Sequence, residues 1–184
     1  GLDTRLLVDL LRDRINPSRS LGQHYLVDEE VIERTMRLTE EFDSPLSSNS
    51  HVLEGGPGPG SLTLELLRSH SNVTAIEIDK QSVEHLERIF GERKCTLILE
   101  EADAVSERWP EGITHVISNL PYQISSPIVD RITKYHHSEP IQLSILLVQE
   151  EFAHRMAMFS APYDIGPLGL NLWLDFDVSL DRRV

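Results

Sequence analysis

Cysteine is almost absent from this 184-residue chain. Cys95 stands alone, so a disulfide framework and a cysteine-ligated zinc site are both excluded, which suits a reducing compartment. Basic residues are scarce as well: 17 Lys and Arg face 30 Asp and Glu, a formal net charge of -13. Affinity for nucleic acid rests largely on phosphate neutralisation, so any such role requires a local concentration of charge. Arg12, Arg14 and Arg19 cluster ahead of Gly22, and Arg34 and Arg37 follow; the plain alternative is a solvated acidic surface with scattered arginines. No apolar run reaches membrane-spanning length and the amino terminus lacks a secretory pattern, so a cytoplasmic protein without a membrane partner is expected. The histidines include the pair His136-His137, but adjacent side chains project differently and no H-E-x-x-H spacing exists. No metal site is expected.

What is present is an ordinary globular composition, 40% hydrophobic and 26% charged, in a chain of one-domain size. Leu6, Leu7, Leu10 and Leu11 have helical spacing, ended by Asn16-Pro17. Asp28 suits the N-cap of a second helix carrying Val31, Ile32, Met36 and Leu38, and the serine-rich stretch from Ser44 to Ser50 reads as a linker. Residues 1–50 are therefore expected to form N-terminal helices with a capping loop, and 51–184 the core. From His51 onward short apolar runs alternate with helical patterns. Strands are predicted at 51–53, 73–78, 95–99, 113–118 and 141–148, and helices at 61–68, 81–90, 126–134 and 150–158. A short helix or strand is predicted at 168–174. This alternation predicts an α/β fold with a mainly parallel sheet and helices on both faces.

Glu54-Gly55-Gly56-Pro57-Gly58-Pro59-Gly60 falls where the first strand turns into its helix. Glycines allow positive φ and close ligand approach, and the helix start offers unpaired amide hydrogens, although such a turn can be purely structural. Glu77 ends the second strand, where a carboxylate can accept two hydrogen bonds from a ribose diol. Asp103 follows the third strand and could accept from an adenine amino group. Each acid alone reads as a solvated loop carboxylate; together they occupy consecutive strand ends, where such sheets bind ligands. The spacing of Gly56, Gly58 and Gly60 is G-x-G-x-G after Glu54, not the G-x-G-x-x-G of NAD sites, and matches S-adenosylmethionine-dependent methyltransferases.

Asn119-Leu120-Pro121-Tyr122 follows the apolar run Val116-Ile117. The Asn119 amide oxygen and the Pro121 carbonyl are acceptors that can take both hydrogens of a planar amine, and Tyr122 can stack on its ring. The structural alternative is a strand-to-helix turn with Tyr122 in the core. Trp109, Trp173, Phe152 and Tyr163 read as packing residues.

In order along the chain, Leu21 to Leu26, Glu54 to Thr63, Glu77-Ile78-Asp79, Asp103-Ala104, Asn119 to Pro127 and Gln149 to Arg155 resemble the small-subunit ribosomal RNA adenine dimethyltransferases, the KsgA-type enzymes. The run Ser20 to Leu26 and Ile124-Ser125-Ser126-Pro127 look more like the archaeal and eukaryotic branch. The resemblance implies a Rossmann-like fold and N6-dimethylation of two adjacent adenosines near the 3′ end of the small-subunit RNA during ribosome biogenesis. It implies S-adenosylmethionine as cofactor, the small ribosomal subunit precursor as partner and a monomeric enzyme. It places Gln23 and His24 near the methionine part of the cofactor, Gly56 and Gly58 at its turn, Glu77 at the ribose, Asp103 at the adenine, and Asn119, Pro121 and Tyr122 at the target base. Leu26, Glu54, Ile78, Ala104 and Asn119 complete the cofactor-binding residues that it implies.

There are departures. His24 stands where asparagine is usual in bacterial members, Tyr25 where phenylalanine is, Gly55 replaces an apolar residue and Glu150 a lysine. The chain stops at Val184, before the final strand and small helical domain expected of the family. Two alternatives stay open. One is a ribosome-assembly or RNA-binding factor with secondary catalysis. The other is a DNA adenine or protein glutamine methyltransferase, against which Leu120 and the Gln23 region argue.

Overall fold

The computed structural model describes residues 29–93, 96–120 and 122–147. The first helix, Cys95 and the segments from Val148 onward lie outside the described residues. Five strands form one sheet: β1 His51–Gly55, β2 Asn72–Glu77, β3 Leu97–Glu101, β4 His115–Asn119 and β5 Leu143–Leu147. Their order is β3-β2-β1-β4-β5 and every pairing is parallel. Parallel neighbours require crossovers, which are supplied by α2 Ser61–Arg68, α3 Lys80–Phe90 and α4 Tyr122–Ser138. Helix α1, Glu29–Glu41, precedes the sheet and buries Val31, Ile32 and Leu38, the side chains whose spacing predicts it.

Successive residues of a strand face opposite sides, and each side has its own core. Val52, Val73, Ala75 and Ile117 pack with Leu66 of α2, Leu86 and Phe90 of α3, and Leu38 of α1. Leu53, Ile76 and Val116 pack on the other side with Ile128 and Ile132 of α4, and with Trp109 and Ile113. A sheet covered on both faces explains the nearly unbroken apolar runs in its strands. Among the described residues no helix is long and apolar enough to cross a membrane.

The one substantial difference from the sequence reading is α4, expected at 126–134 and observed from Tyr122 to Ser138. Ser125-Ser126-Pro127 imitates a cap followed by a first-turn proline, but Pro127 sits inside the helix. Its missing N–H removes one hydrogen bond near the helix start without ending the helix.

Candidate functional site at the carboxyl edge of the sheet

The sheet order reverses direction on either side of β1, so the crevice at the carboxyl ends of β1 and β4 is the place where such sheets accept ligands. The glycine turn leaves β1 here. Gly56, Gly58 and Gly60 have φ of 68°, 56° and 91°, the left-handed region in which side chains are strained. Among the described residues a Cβ at Gly56 or Gly58 would meet no atom within 4 Å, so the backbone of the turn faces open space there. Gly60 caps α2 and is packed instead: a Cβ there would lie 2.7 Å from Leu86 Cδ2 and 2.8 Å from Phe90 Cε2.

Two buried carboxyl groups stand behind the turn. Glu77 Oε1 accepts the Gly58 N–H at 3.0 Å and Oε2 accepts the Asp79 N–H at 3.0 Å. Burial raises its pKa, and these amide hydrogen bonds act in the opposite direction. The Ile78 N–H bonds the carboxylate as well, so three of its roughly four lone-pair sites serve the backbone and about one is left to accept from a ligand. Glu54 accepts from Thr63 Oγ1. Burial pushes its pKa up to about 8, the Thr63 hydrogen bond lowers it and Glu77 raises it.

The remaining positions lie along the same edge. Ile78 follows β2 and is 50% exposed, an apolar side chain beside the acid. Asp103 lies in the loop after β3 and is exposed, while Ala104 is buried. Asp103 Oδ1 accepts the Val105 N–H at 2.9 Å. Asn119 ends β4, and Leu120 is fully buried with its N–H on the Leu147 carbonyl at 2.9 Å. Gln23, His24, Leu26 and Pro121 lie outside the described residues, and Tyr122 is described only as the first residue of α4. The open turn, the buried Glu77 carboxyl, the exposed Ile78 and the exposed Asp103 thus lie along one edge of the sheet. Among the described residues no group of three or more His, Cys, Asp and Glu is arranged to hold a metal ion.

Three contacts in this region escape sequence reasoning. Ser118 Oγ accepts the Gly55 N–H at 2.8 Å and fastens the end of β4 to the end of β1. Thr63 reaches Glu54 from the first turn of α2. Trp109 and Arg131 grip the loop that carries Asp103. These pairs are separated by 63, 9 and 5 to 26 residues, with no motif to announce them.

Comparison with known proteins identifies what the chain is similar to. The family model described as ribosomal RNA adenine dimethylase matches residues 14–180. The probable ribosomal RNA small subunit methyltransferase A of Thermococcus gammatolerans is 36% identical over 98% of this chain and 60% of its own length. The ribosomal RNA small subunit methyltransferase A of Gloeobacter violaceus is 38% identical over 84% of this chain and 55% of its own. The chain thus spans less than two thirds of these relatives. Among solved structures, a dimethyladenosine transferase from Plasmodium falciparum superposes with a TM-score of 0.67 at 26% identity, covering 82% of this chain and 52% of that one. The 23S rRNA methyltransferase ErmE gives 0.65 at 26% identity, over 82% and 57%.

Proposed function

This chain belongs to the ribosomal RNA adenine dimethylase family, and we propose that it carries the catalytic core for N6-dimethylation of two adjacent adenosines in small-subunit ribosomal RNA, with S-adenosylmethionine as methyl donor. The observation that carries this reading is the convergence of the open glycine turn, Glu77, the Asp103 loop and Asn119 on one edge, bolted together by the Gly58–Glu77 hydrogen bond.

Gly56 and Gly58 give the cofactor a close backbone approach, Glu77 takes the ribose, Ile78 packs on the adenine and Asp103 accepts from its amino group. Ala104 lines that end, Glu54 backs the turn, and Gln23, His24 and Leu26 are assigned to the methionine part. Bound there, the cofactor supplies a methyl group already activated on a sulfonium. The chain's own task is at the amine. The adenine N6 lone pair is delocalised into the ring, so Asn119 Oδ1 and the Pro121 carbonyl accept its two hydrogens and turn the pair toward the donor. Tyr122 stacks on the unstacked base. No carboxylate base is needed, because the proton can leave to water after transfer. Orientation supplies most of the acceleration, on the order of 7 to 11 kcal/mol in well-aligned reactions.

A second reading, methylation of large-subunit RNA, is favoured by the likeness to ErmE, whose TM-score of 0.65 nearly equals the 0.67 of the dimethyladenosine transferase. The deciding experiment offers tritiated-methyl cofactor and unmodified small or large subunits to the chain, and identifies the methylated nucleosides. N6,N6-dimethyladenosine in the small subunit is expected. Label confined to the large subunit would sink the proposal. Asn119→Ala is expected to keep cofactor binding and lose transfer, and near-normal transfer by that variant would overturn the assignment of Asn119.

A further inference from the structure

The loop after β3 hangs from an edge strand, yet it is held at several points from a single helix. Its own turn is closed internally: the Asp103 carbonyl accepts from the Ser106 N–H at 3.1 Å and from the Glu107 N–H at 2.8 Å. From beyond that turn, Trp109 reaches back into it, its Nε1 donating to the Ala104 carbonyl at 2.9 Å. Arg131 of α4 donates through Nη1 to the Val105 carbonyl and through Nη2 to the Glu107 carbonyl at 2.6 Å. Its guanidinium lies 4.9 Å over the Trp109 ring. One turn further along α4, Tyr135 packs 5.9 Å from Trp109, donates to the Pro110 carbonyl at 2.8 Å and accepts the Ile113 N–H at 3.0 Å.

We propose that Arg131, stacked on Trp109, is a positioning residue for cofactor selection: it fixes the Val105 and Glu107 carbonyls, in the middle and at the end of the turn that Asp103 opens, and so aims Asp103 at the adenine amino group. The inference rests on the reading of Asp103 given above. Helix α4 begins at Tyr122, the last residue of the target-base motif, so one element sets both the adenine end of the cofactor site and the start of the base pocket. The fork matters as much as the charge. Two carbonyls accept from two nitrogens of one planar group stacked on an indole, a geometry that a lysine ammonium cannot reproduce. Arg131 is partly exposed and the apolar packing under the loop belongs to Trp109 and Tyr135, so its removal frees the Asp103 turn without emptying the core.

The test is a calorimetric titration of the 184-residue chain with S-adenosylhomocysteine and with S-inosylhomocysteine, in which oxygen replaces the amino group. The unaltered chain is expected to prefer the adenosyl ligand by about tenfold, the scale of one hydrogen bond to a charged acceptor. Arg131→Gln is expected to abolish that preference while leaving the inosyl ligand's affinity unchanged, and Arg131→Lys to recover part of it. In an Asp103→Ala background, Arg131→Gln is expected to add nothing, because the two act in series. A loss equal for both ligands, an additive double variant, or no loss at all overturns the proposal. If the unaltered chain binds both ligands with no preference, the assignment of Asp103 fails; if it binds neither, the cofactor reading itself fails. Should Arg131→Gln not fold, Arg131→Lys carries the same comparison, and an undiminished preference in it counts against the inference.

Discussion

The Gly58 N–H points at Glu77 Oε1 across 3.0 Å, although the two residues are 19 positions apart, one in the turn after β1 and the other at the end of β2. The carboxylate assigned to the ribose is thus also the group that fixes the shape of the turn. Glu77→Gln retains size and one oxygen but presents an NH2 group where a backbone N–H now donates. Two donors then face each other in a buried site, a loss of roughly 1 to 3 kcal/mol. The variant is expected to be less stable by that amount in urea unfolding without any cofactor, and to lose cofactor affinity as well. A variant of unchanged stability that merely binds less tightly would show that Glu77 serves the ligand alone.

Gly58 and Gly60 are expected to respond differently to alanine. At both, positive φ imposes strain of about 1 to 2 kcal/mol on a residue with a Cβ. At Gly60 the Cβ also enters the space of Leu86 and Phe90, which adds roughly 1 to 3 kcal/mol of overpacking. At Gly58 no atom of the described residues lies within 4 Å, so the added methyl faces what binds over the turn. Gly60→Ala should lower the unfolding midpoint more, and Gly58→Ala should weaken S-adenosylhomocysteine binding out of proportion to its small effect on stability. Parallel thermal unfolding and titration of the two variants make the comparison, and the reverse ranking would refute it.

The alternation of apolar runs and amphipathic segments made the parallel sheet legible, because a strand buried on both faces carries Val52-Leu53 or Val116-Ile117 rather than alternating polarity. The turn at Gly56 to Gly60 and the acids at strand ends were legible for a similar reason: short-range chemistry marks them. The boundaries of α4 were not, since Pro127 looks like a helix start and only tertiary packing of Ile128 and Ile132 carries the helix through it. The bolts of the site were invisible too. Ser118 on Gly55, Thr63 on Glu54 and Arg131 on Val105 are ordinary residues whose roles depend on which strand lies beside which, and that is a property of topology rather than of any local pattern.

Glu54 makes stability fall as pH rises. Its folded pKa is pushed up to about 8 from an ordinary 4.5, chiefly by burial, so between those values the folded chain holds a proton that the unfolded chain has released. The stabilisation is complete below pH 4.5 and is lost through pH 8, with a slope of up to about 1.4 kcal/mol per pH unit for one proton. Glu77, also raised by burial, adds to the same trend. Glu54→Gln keeps an oxygen for Thr63 and cannot ionise. Its urea stability is expected to match the parent below pH 4.5 and to exceed it by a growing margin toward pH 8. Parallel curves for the two chains would show that Glu54 titrates alike in the folded and unfolded chains.

At the opposite end of the sheet two histidines act with the other sign. His115 is fully buried, with Nδ1 2.7 Å from Thr114 Oγ1 and Nε2 2.8 Å from the Ser44 carbonyl. His51 Nε2 lies 2.8 Å from Thr74 Oγ1, and Thr114 Oγ1 accepts the His51 N–H at 3.0 Å. Burial lowers both pKa values, more than the Ser44 carbonyl raises that of His115. Below the ordinary 6.5 the unfolded chain therefore takes up protons that the fold refuses. Their stabilisation is present above pH 6.5 and is lost as pH falls through the lowered folded values. From pH 6.5 downward the histidine and Glu54 slopes oppose each other; from 6.5 to 8 only the carboxyl slope remains. The parent chain is therefore expected to show a shallow pH dependence on the acid side of 6.5 and a decline on the alkaline side. Glu54→Gln should unmask the histidines as a clear loss of stability between pH 6.5 and 5, and a further His51→Gln change should make that loss shallower. Because Glu77 still opposes the histidines in that chain, only a Glu54→Gln curve that is flat through this window and unchanged by His51→Gln would mean that the His51 imidazole titrates alike in the folded and unfolded chains.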